Sequence, residues 1–235
     1  IADKENTTLE VERIQLSHFD IKTCHGCRAC FDKGEEKCPL KDELLVIWEK
    51  IHQADGILAA SPVYVEDVNG IMKNWIDRMA FNCHRPAFAG KTVYIVTTSG
   101  GGSSNHTINT MKNAFIAWGM NFSGSSKFRT GKLMSSDEIE SRYSSEIKKA
   151  AEMLFKAVKN KSAQKPSFYS LIAFKVQQKY WRQKSKQSKD SVDYKYWQRN
   201  GWLQGNCNYY IPIKVGFLKI KSAQLIGNII AIFYT

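Results

Sequence analysis

Between residues 9 and 160, apolar runs of strand length alternate with stretches of helical period, and this rhythm restricts the chain to a sheet of mostly parallel strands flanked by helices. Leu9–Leu16 reads as a first strand. Asp42 is placed to cap a helix running to about Ala54, with Leu44, Leu45, Ile47, Trp48 and Ile51 as its apolar stripe. Gly56–Ala60 reads as a short buried strand ended by Ser61-Pro62, and residues 68–79 as a helix. Thr92–Thr97 is a β-branched strand that runs into the glycine-rich loop 99–104. A helix over 107–118, a strand over 121–128 and a long helix over 137–159 complete the pattern.

Past Lys161 the alternation stops, and Lys165-Pro166-Ser167 marks a boundary between a core unit, residues 1–160, and an extension, residues 161–235. The extension reads as mostly helical. Residues 168–187 form an amphipathic helix with Phe168, Leu171, Ile172, Val176 and Tyr180 on one side, residues 188–210 are polar and aromatic, and 217–233 are apolar and helical in length. Charge follows the same division: Lys and Arg number 19 against 20 Asp and Glu in residues 1–155, but 15 against 2 in residues 156–235. A basic segment interleaved with Trp and Tyr fits an arm covering the core or a neighbouring subunit, an anionic membrane surface, or an acidic electron-transfer partner. Nucleic acid is the least favoured partner, because no reading motif accompanies the charge.

The start of the sequence shows no basic segment followed by an apolar stretch, and nowhere do eighteen apolar residues run without charge. The expected compartment is therefore a reducing cytoplasm, with a peripheral position at the inner membrane surface as the variant that the basic tail allows. In that compartment clustered cysteines point to metal or redox chemistry before disulfides. Cys24, Cys27, Cys30 and Cys38 have the spacing C-x2-C-x2-C-x7-C, with Pro39 next. Three thiols two residues apart can turn onto the corners of one cubane while a fourth arrives from further along. Zinc, which usually takes two separated pairs, and free, partly buried thiols are the competing readings. The triplet followed by Cys-Pro favours a 4Fe–4S cluster. Cys83 and Cys207 lie apart and read as structural; His25 and His84 read as ordinary loop residues.

Two loops follow the second and third apolar strands: Ser61, Pro62, Val63 and Tyr64, then Thr97 to Gly102. Each alone is a turn or a flexible loop. Together they sit where open α/β sheets bind flat ligands, beyond the carboxyl ends of the strands.

The order C-x-G-C-x-x-C…C-P, Ala54-Asp55-Gly56, Ser61-Pro62-Val63-Tyr64, Gly70 to Lys73, Trp75-Ile76-Asp77-Arg78, Gly90-Lys91 and the glycine loop resembles the flavodoxin-like NAD(P)H-dependent FMN reductases, specifically the iron–sulfur flavoproteins, over about residues 9–160. The resemblance implies a flavodoxin-like sheet of order 2-1-3-4-5 with helices on both faces and FMN at its carboxyl edge. It also implies a dimer or tetramer that brings cluster and flavin of neighbouring subunits together. By position, Ser61, Pro62, Val63 and Tyr64 would flank the isoalloxazine and Thr98, Ser99, Gly100 and Gly101 would meet its other edge. Asp77 and Arg78 would fix the helix or a subunit contact. Family members open with an apolar strand and a phosphate-gripping loop that this sequence does not show, so the sequence is expected to be N-terminally incomplete by roughly 25–30 residues, one strand, loop and helix. The activity implied is electron transfer from NAD(P)H or a reduced carrier, through FMN and the cluster, to a small-molecule or ferredoxin-like partner. The alternatives are an electron carrier without NAD(P)H activity, a plain FMN reductase lacking the cluster, and a degenerate binding module.

Overall fold

The computed structural model describes residues 8–130, 134–160, 166–184 and 189–233. Its sheet is built from β1 (Gly56–Tyr64), β2 (Asp67–Val68), β3 (Thr92–Ser99) and β4 (Asn121–Arg129), in the order β2-β1-β3-β4. β1, β3 and β4 are parallel, with Gly56 opposite Thr92 and Pro62 opposite Thr98, while β2 folds back antiparallel on the end of β1. The register between β3 and β4 slips once, between Val93 and Tyr94, and Gly124 takes the tight place: a Cβ there would stand 2.7 Å from the Tyr94 ring.

Side chains alternate across the pleat, so Ala59 of β1 and Val93 and Ile95 of β3 point into one buried layer. Against it pack α2 (Leu44–Gln53), α3 (Gly70–Arg78) and α4 (Asn105–Ala117), through Ile47, Ile51, Met72, Trp75, Met111 and Phe115. The opposite face is covered by α5 (Ser136–Lys159), which leans over β4 and β3. Its first turn is closed by a capping box in which Ser135 Oγ accepts from the Glu138 N–H and Glu138 Oε2 accepts from the Ser135 N–H. Helices on both faces of a parallel sheet are the flavodoxin-like α/β class expected from the sequence.

Two expectations for the core are corrected. Leu9–Leu16 forms no strand: residues 8–15 are irregular, and Leu9 and Val11 are exposed. A strand needs a ladder partner, and none of the described residues offers one to this stretch. Ser61-Pro62 does not end β1 either, since the strand continues to Tyr64. A proline is tolerated near the margin of a sheet, and among the described residues β1 is flanked on its outer side only by the two-residue β2.

The extension is helical, with α6 (Phe168–Lys184), α7 (Val192–Arg199) and α8 (Phe217–Ile232). The expected boundary residues 161–165 and the expected end of the first of these helices, 185–187, lie outside the described residues. α6 buries Leu171, Phe174, Gln178 and Trp181; of the expected stripe Leu171 is buried and Ile172 and Tyr180 pack against the same cluster, while Phe168 is exposed. A polar residue can lie on the buried side because the Gln178 amide donates to the carbonyls of Trp202, Gln204 and Cys207 at 2.8, 3.2 and 3.0 Å. α8 packs on α6 through Ala223, Gly227 and Ala231; a Cβ on Gly227 would meet Lys175 at 2.7 Å. This arrangement leaves Leu218, Leu225, Ile229, Ile232 and Phe233 facing solvent. No helix among the described residues is long and apolar enough to cross a membrane.

Candidate functional site

The cysteine segment runs between a single 3-10 turn (Leu16–His18) and α2, and is bent by residues in left-handed backbone conformations. Gly26 has φ +67°, Arg28 φ +63° and Gly34 φ +109°. At Gly34 a Cβ would also strike the Glu36 carboxylate at 2.5 Å, so this turn requires glycine. Between the bends lies the four-residue helix α1 (Ala29–Asp32).

Two buried guanidinium groups hold the segment. Arg78, on the last turn of α3, donates to the Lys22 carbonyl at 2.6 Å and to both Asp42 oxygens at 2.5 and 3.2 Å, and its Nη2 lies 3.8 Å from Cys38 Sγ. Asp42 also accepts from the backbone N–H groups of Lys22 and Leu44. Burial alone would raise the Asp42 carboxyl, but these hydrogen bonds and the Arg78 charge outweigh it and hold the group below its ordinary value. Arg85 donates to the Cys30 carbonyl at 2.6 Å and to Glu35 Oε2 at 2.9 Å, and pairs with Asp193 from the extension.

All four cysteines of the cluster motif line one cavity of about 90 Å³, together with Phe31, Phe81 and Arg78. Cys24 and Cys27 are exposed, Cys30 and Cys38 half-buried, and none is bridged. Burial pushes the Cys30 thiol up, and negative charge on Cys38 and Cys24 pushes it the same way, as expected where the sulfurs share one space. The Gly26 N–H points at Cys24 Sγ at 3.4 Å. Among the described residues no three Cys, His, Asp or Glu side chains converge closely enough to hold a single metal ion.

The second predicted group lies at the carboxyl edge of β1 and β3, and the pairing of Pro62 with Thr98 makes the two loops neighbours. Ser61 is fully buried and its hydroxyl is already used, donating to the Pro62 carbonyl at 2.9 Å and accepting from the Asn69 N–H at 3.4 Å. Both bonds tie Ser61 into the turn. Pro62 and Val63 are half-buried and Tyr64 is exposed. The turn that follows places Val65 and Glu66 at φ +50° and +62°, conformations that non-glycine residues adopt only under constraint. On the neighbouring loop Thr98, Gly100 and Gly101 are exposed, and nothing lies within 4 Å of where a Gly101 Cβ would be. Ser99 is buried, and its Oγ has no hydrogen-bond partner among the described residues. A buried hydroxyl without a partner is costly, and such an atom beside an open edge suits a polar ligand.

Sequence reasoning missed Arg85 and Asp193 and treated His84 as an ordinary loop residue, although His84 Nδ1 lies 2.8 Å from Asp193 Oδ2. A signal was present: Asp193 is one of only two acidic residues in the last eighty positions, 156–235.

Residues 2–134, more than half of the chain, match the NADPH-dependent FMN reductase family. Among curated proteins the chain is similar to an iron–sulfur flavoprotein of Archaeoglobus fulgidus, 35% identical over 121 residues, covering 51% of this chain and 54% of that one. It is also similar to an iron–sulfur flavoprotein of Methanosarcina thermophila, 33% identical over 96 residues, covering 41% and 49%. A third, from Clostridioides difficile, is 25% identical over 154 residues, covering 63% and 66%. The chain thus spans about half the length of the first two relatives. A parallel α/β sheet, two neighbouring loops at its carboxyl edge and a four-cysteine segment coincide with this match, and the chain belongs to the NADPH-dependent FMN reductase family.

Proposed function

We propose that the chain is a flavin-dependent oxidoreductase of the iron–sulfur flavoprotein type. FMN would lie at the carboxyl edge against Pro62, Val63, Tyr64 and Thr98 to Gly101, and a 4Fe–4S cluster in the cysteine cavity. The observation that carries the reading is the gathering of Cys24, Cys27, Cys30 and Cys38 around one cavity. The donor set fits: four unbridged thiols, a backbone N–H directed at one sulfur and a buried guanidinium near another, as a cluster of net negative charge requires. When bound, a flavin accepts an electron pair and a cluster passes electrons singly, so the two together link two-electron and one-electron donors. The protein's part is positional. Arg78 fixes the segment at Lys22 and Cys38 and Arg85 fixes it at Cys30, while the Ser99 hydroxyl, buried without a partner among the described residues, would be taken up by a ligand that reaches it from the sheet edge.

The deciding experiment is an absorbance spectrum of the anaerobically purified chain with iron, sulfide and FMN assays. Flavin bands with a broad shoulder near 400 nm that bleaches with dithionite, and about four iron and four sulfide per chain, support the reading. Flavin without iron leaves a plain FMN reductase; iron without flavin removes the sheet-edge site. Steady-state oxidation of NADPH and NADH then separates an oxidoreductase from an electron carrier.

Ser99 gives a sharper local test. Ser99→Ala removes an unpartnered buried hydroxyl, so the ligand-free protein should gain up to about 1–3 kcal/mol, while FMN affinity should fall about 2- to 12-fold with the lost hydrogen bond. Unfolding curves and flavin fluorescence titration read the two effects. Unchanged affinity would show that FMN does not use the Ser99 hydroxyl.

A further inference from the structure

We infer that the C-terminal helical unit is a latch on the cysteine segment, with Asp193 as the positioning residue that engages it through Arg85. The inference rests on the cluster reading for its purpose, and on this chain's own contacts for its mechanism.

The two acidic residues of the extension have opposite fates. Asp190 stands in solvent, with its side chain 99% exposed. Asp193, three residues on, is 5% exposed. An acidic residue in the first turn of a helix is ordinary, because the helix N-terminus favours negative charge. Burying its carboxylate is not ordinary, since an ionised group taken out of water must find charged or hydrogen-bonding partners. Asp193 finds them across the boundary between the two units: Oδ1 pairs with Arg85, and Oδ2 lies 2.8 Å from His84 Nδ1. Ser191 caps α7 by accepting from the Tyr194 N–H, which fixes the turn that carries Asp193.

Arg85 relays the contact. Its Nη1 takes Asp193, and its Nη2 takes the Cys30 carbonyl and the Glu35 carboxylate. One planar guanidinium, 3% exposed, therefore joins the extension to the backbone of a cysteine in the cavity. Other contacts cross the same boundary without bonding to the Cys30 backbone. The Trp197 indole N–H donates to the His84 carbonyl at 2.8 Å, and the His84 ring meets Phe31 of α1 edge-on at 4.8 Å and Trp181 of α6 at 5.8 Å. If Asp193 loses its charge, Glu35 alone is left to balance the buried Arg85. Glu35 is 27% exposed and sits on the segment being held. The fork on Cys30 would then loosen while the rest of the sheet keeps its contacts.

Hydrogen–deuterium exchange on the full chain tests this without reference to activity. The readout is the amides of Phe31, Asp32 and Lys33, which close α1 by bonding to the Arg28 and Ala29 carbonyls. Asp193→Asn should raise their exchange at least about tenfold while β3 amides are unchanged. Trp197→Phe removes the indole bond to His84 but leaves Asp193 and Arg85 in place, and should not raise α1 exchange. Arg85→Lys keeps the charge facing Asp193 but loses the fork, so it should free α1 while α7 amides stay protected. This variant decides the matter even if Asp193→Asn fails to fold. Wild-type exchange in α1 for Arg85→Lys, or equal loosening by Trp197→Phe, overturns the latch. A second measurement on the same variants is the rate of iron loss to a chelator, which should rise in Asp193→Asn and Arg85→Lys and stay at the wild-type rate in Trp197→Phe. A wild-type chain that takes up no iron overturns the cluster reading alone, because the exchange result still decides the latch.

Discussion

Replacing Arg78 with methionine is expected to lower the unfolding free energy by about 3–5 kcal/mol at neutral pH. The Arg78 and Asp42 side chains are 3% and 2% exposed, so the substitution strands a carboxylate in the interior and leaves the Lys22 carbonyl without its donor. The loss should depend on pH in a defined sense. In the wild type the Asp42 carboxyl is held below its ordinary value, so its contribution is present above the unfolded-state value of about 3.9 and is lost as pH falls through the lower folded-state value. The deficit of the variant is therefore full at neutral pH and narrows in acid, and it starts to narrow before the wild-type Asp42 is protonated, because without Arg78 burial pushes the stranded carboxyl up. Urea unfolding of both proteins at pH 7 and in mild acid measures this. A deficit under about 1 kcal/mol at pH 7 would mean that the pair behaves like a surface salt bridge.

Truncating Trp197 to alanine should cost a similar amount, about 3–5 kcal/mol, for a different reason. The ring is fully buried at the centre of an aromatic cluster, with Phe174, Trp202 and Tyr210 at centroid separations of 5.6, 5.3 and 5.8 Å. Its removal leaves a large cavity and an unbonded His84 carbonyl. The second hydrophobic cluster also takes in Ala89 of the core unit, and Ile211 lies over Gly90, so the two units share packing. The wild-type chain should therefore unfold in one step, with far-UV circular dichroism and tryptophan fluorescence coinciding. In Trp197→Ala the single transition should move to lower denaturant. Two separated transitions in the wild type would show that the extension is energetically independent and would remove the basis for a shared effect.

What could be read from the sequence was what depends on local period. The strands at 56, 92 and 121 and the helices at 44, 70, 105 and 136 follow from alternation and apolar stripes, and their ends shift by only a few residues. The cysteine spacing was local as well: three thiols with two residues between them can turn toward one space, and Cys24, Cys27, Cys30 and Cys38 line one cavity. Failures arose where a distant partner decides. Leu9–Leu16 has the composition of a strand but no ladder to join among the described residues. The buried side of α6 is set by three carbonyls, at Trp202, Gln204 and Cys207, that draw Gln178 inward. Arg85 and Asp193 are 108 positions apart, and no spacing rule links them. The engagement of the Ser61 hydroxyl with Pro62 and Asn69 could not be read from the sequence either, because it becomes visible only once the antiparallel turn through β2 is formed.

The outward side of α8 bears on how any of these measurements can be made. Leu218, Leu225, Ile232 and Phe233 are 80%, 64%, 63% and 84% exposed in the folded chain. A solvatochromic dye of the kind used in thermal-shift plates fluoresces on contact with such a surface, so the native protein would already be bright before heating. Melting would then register as a shallow rise on a high baseline, and a variant that merely disturbed α8 would look like an unfolding mutant. Intrinsic emission from Trp118 and Trp197, both fully buried, avoids this artefact because it reports the interior directly.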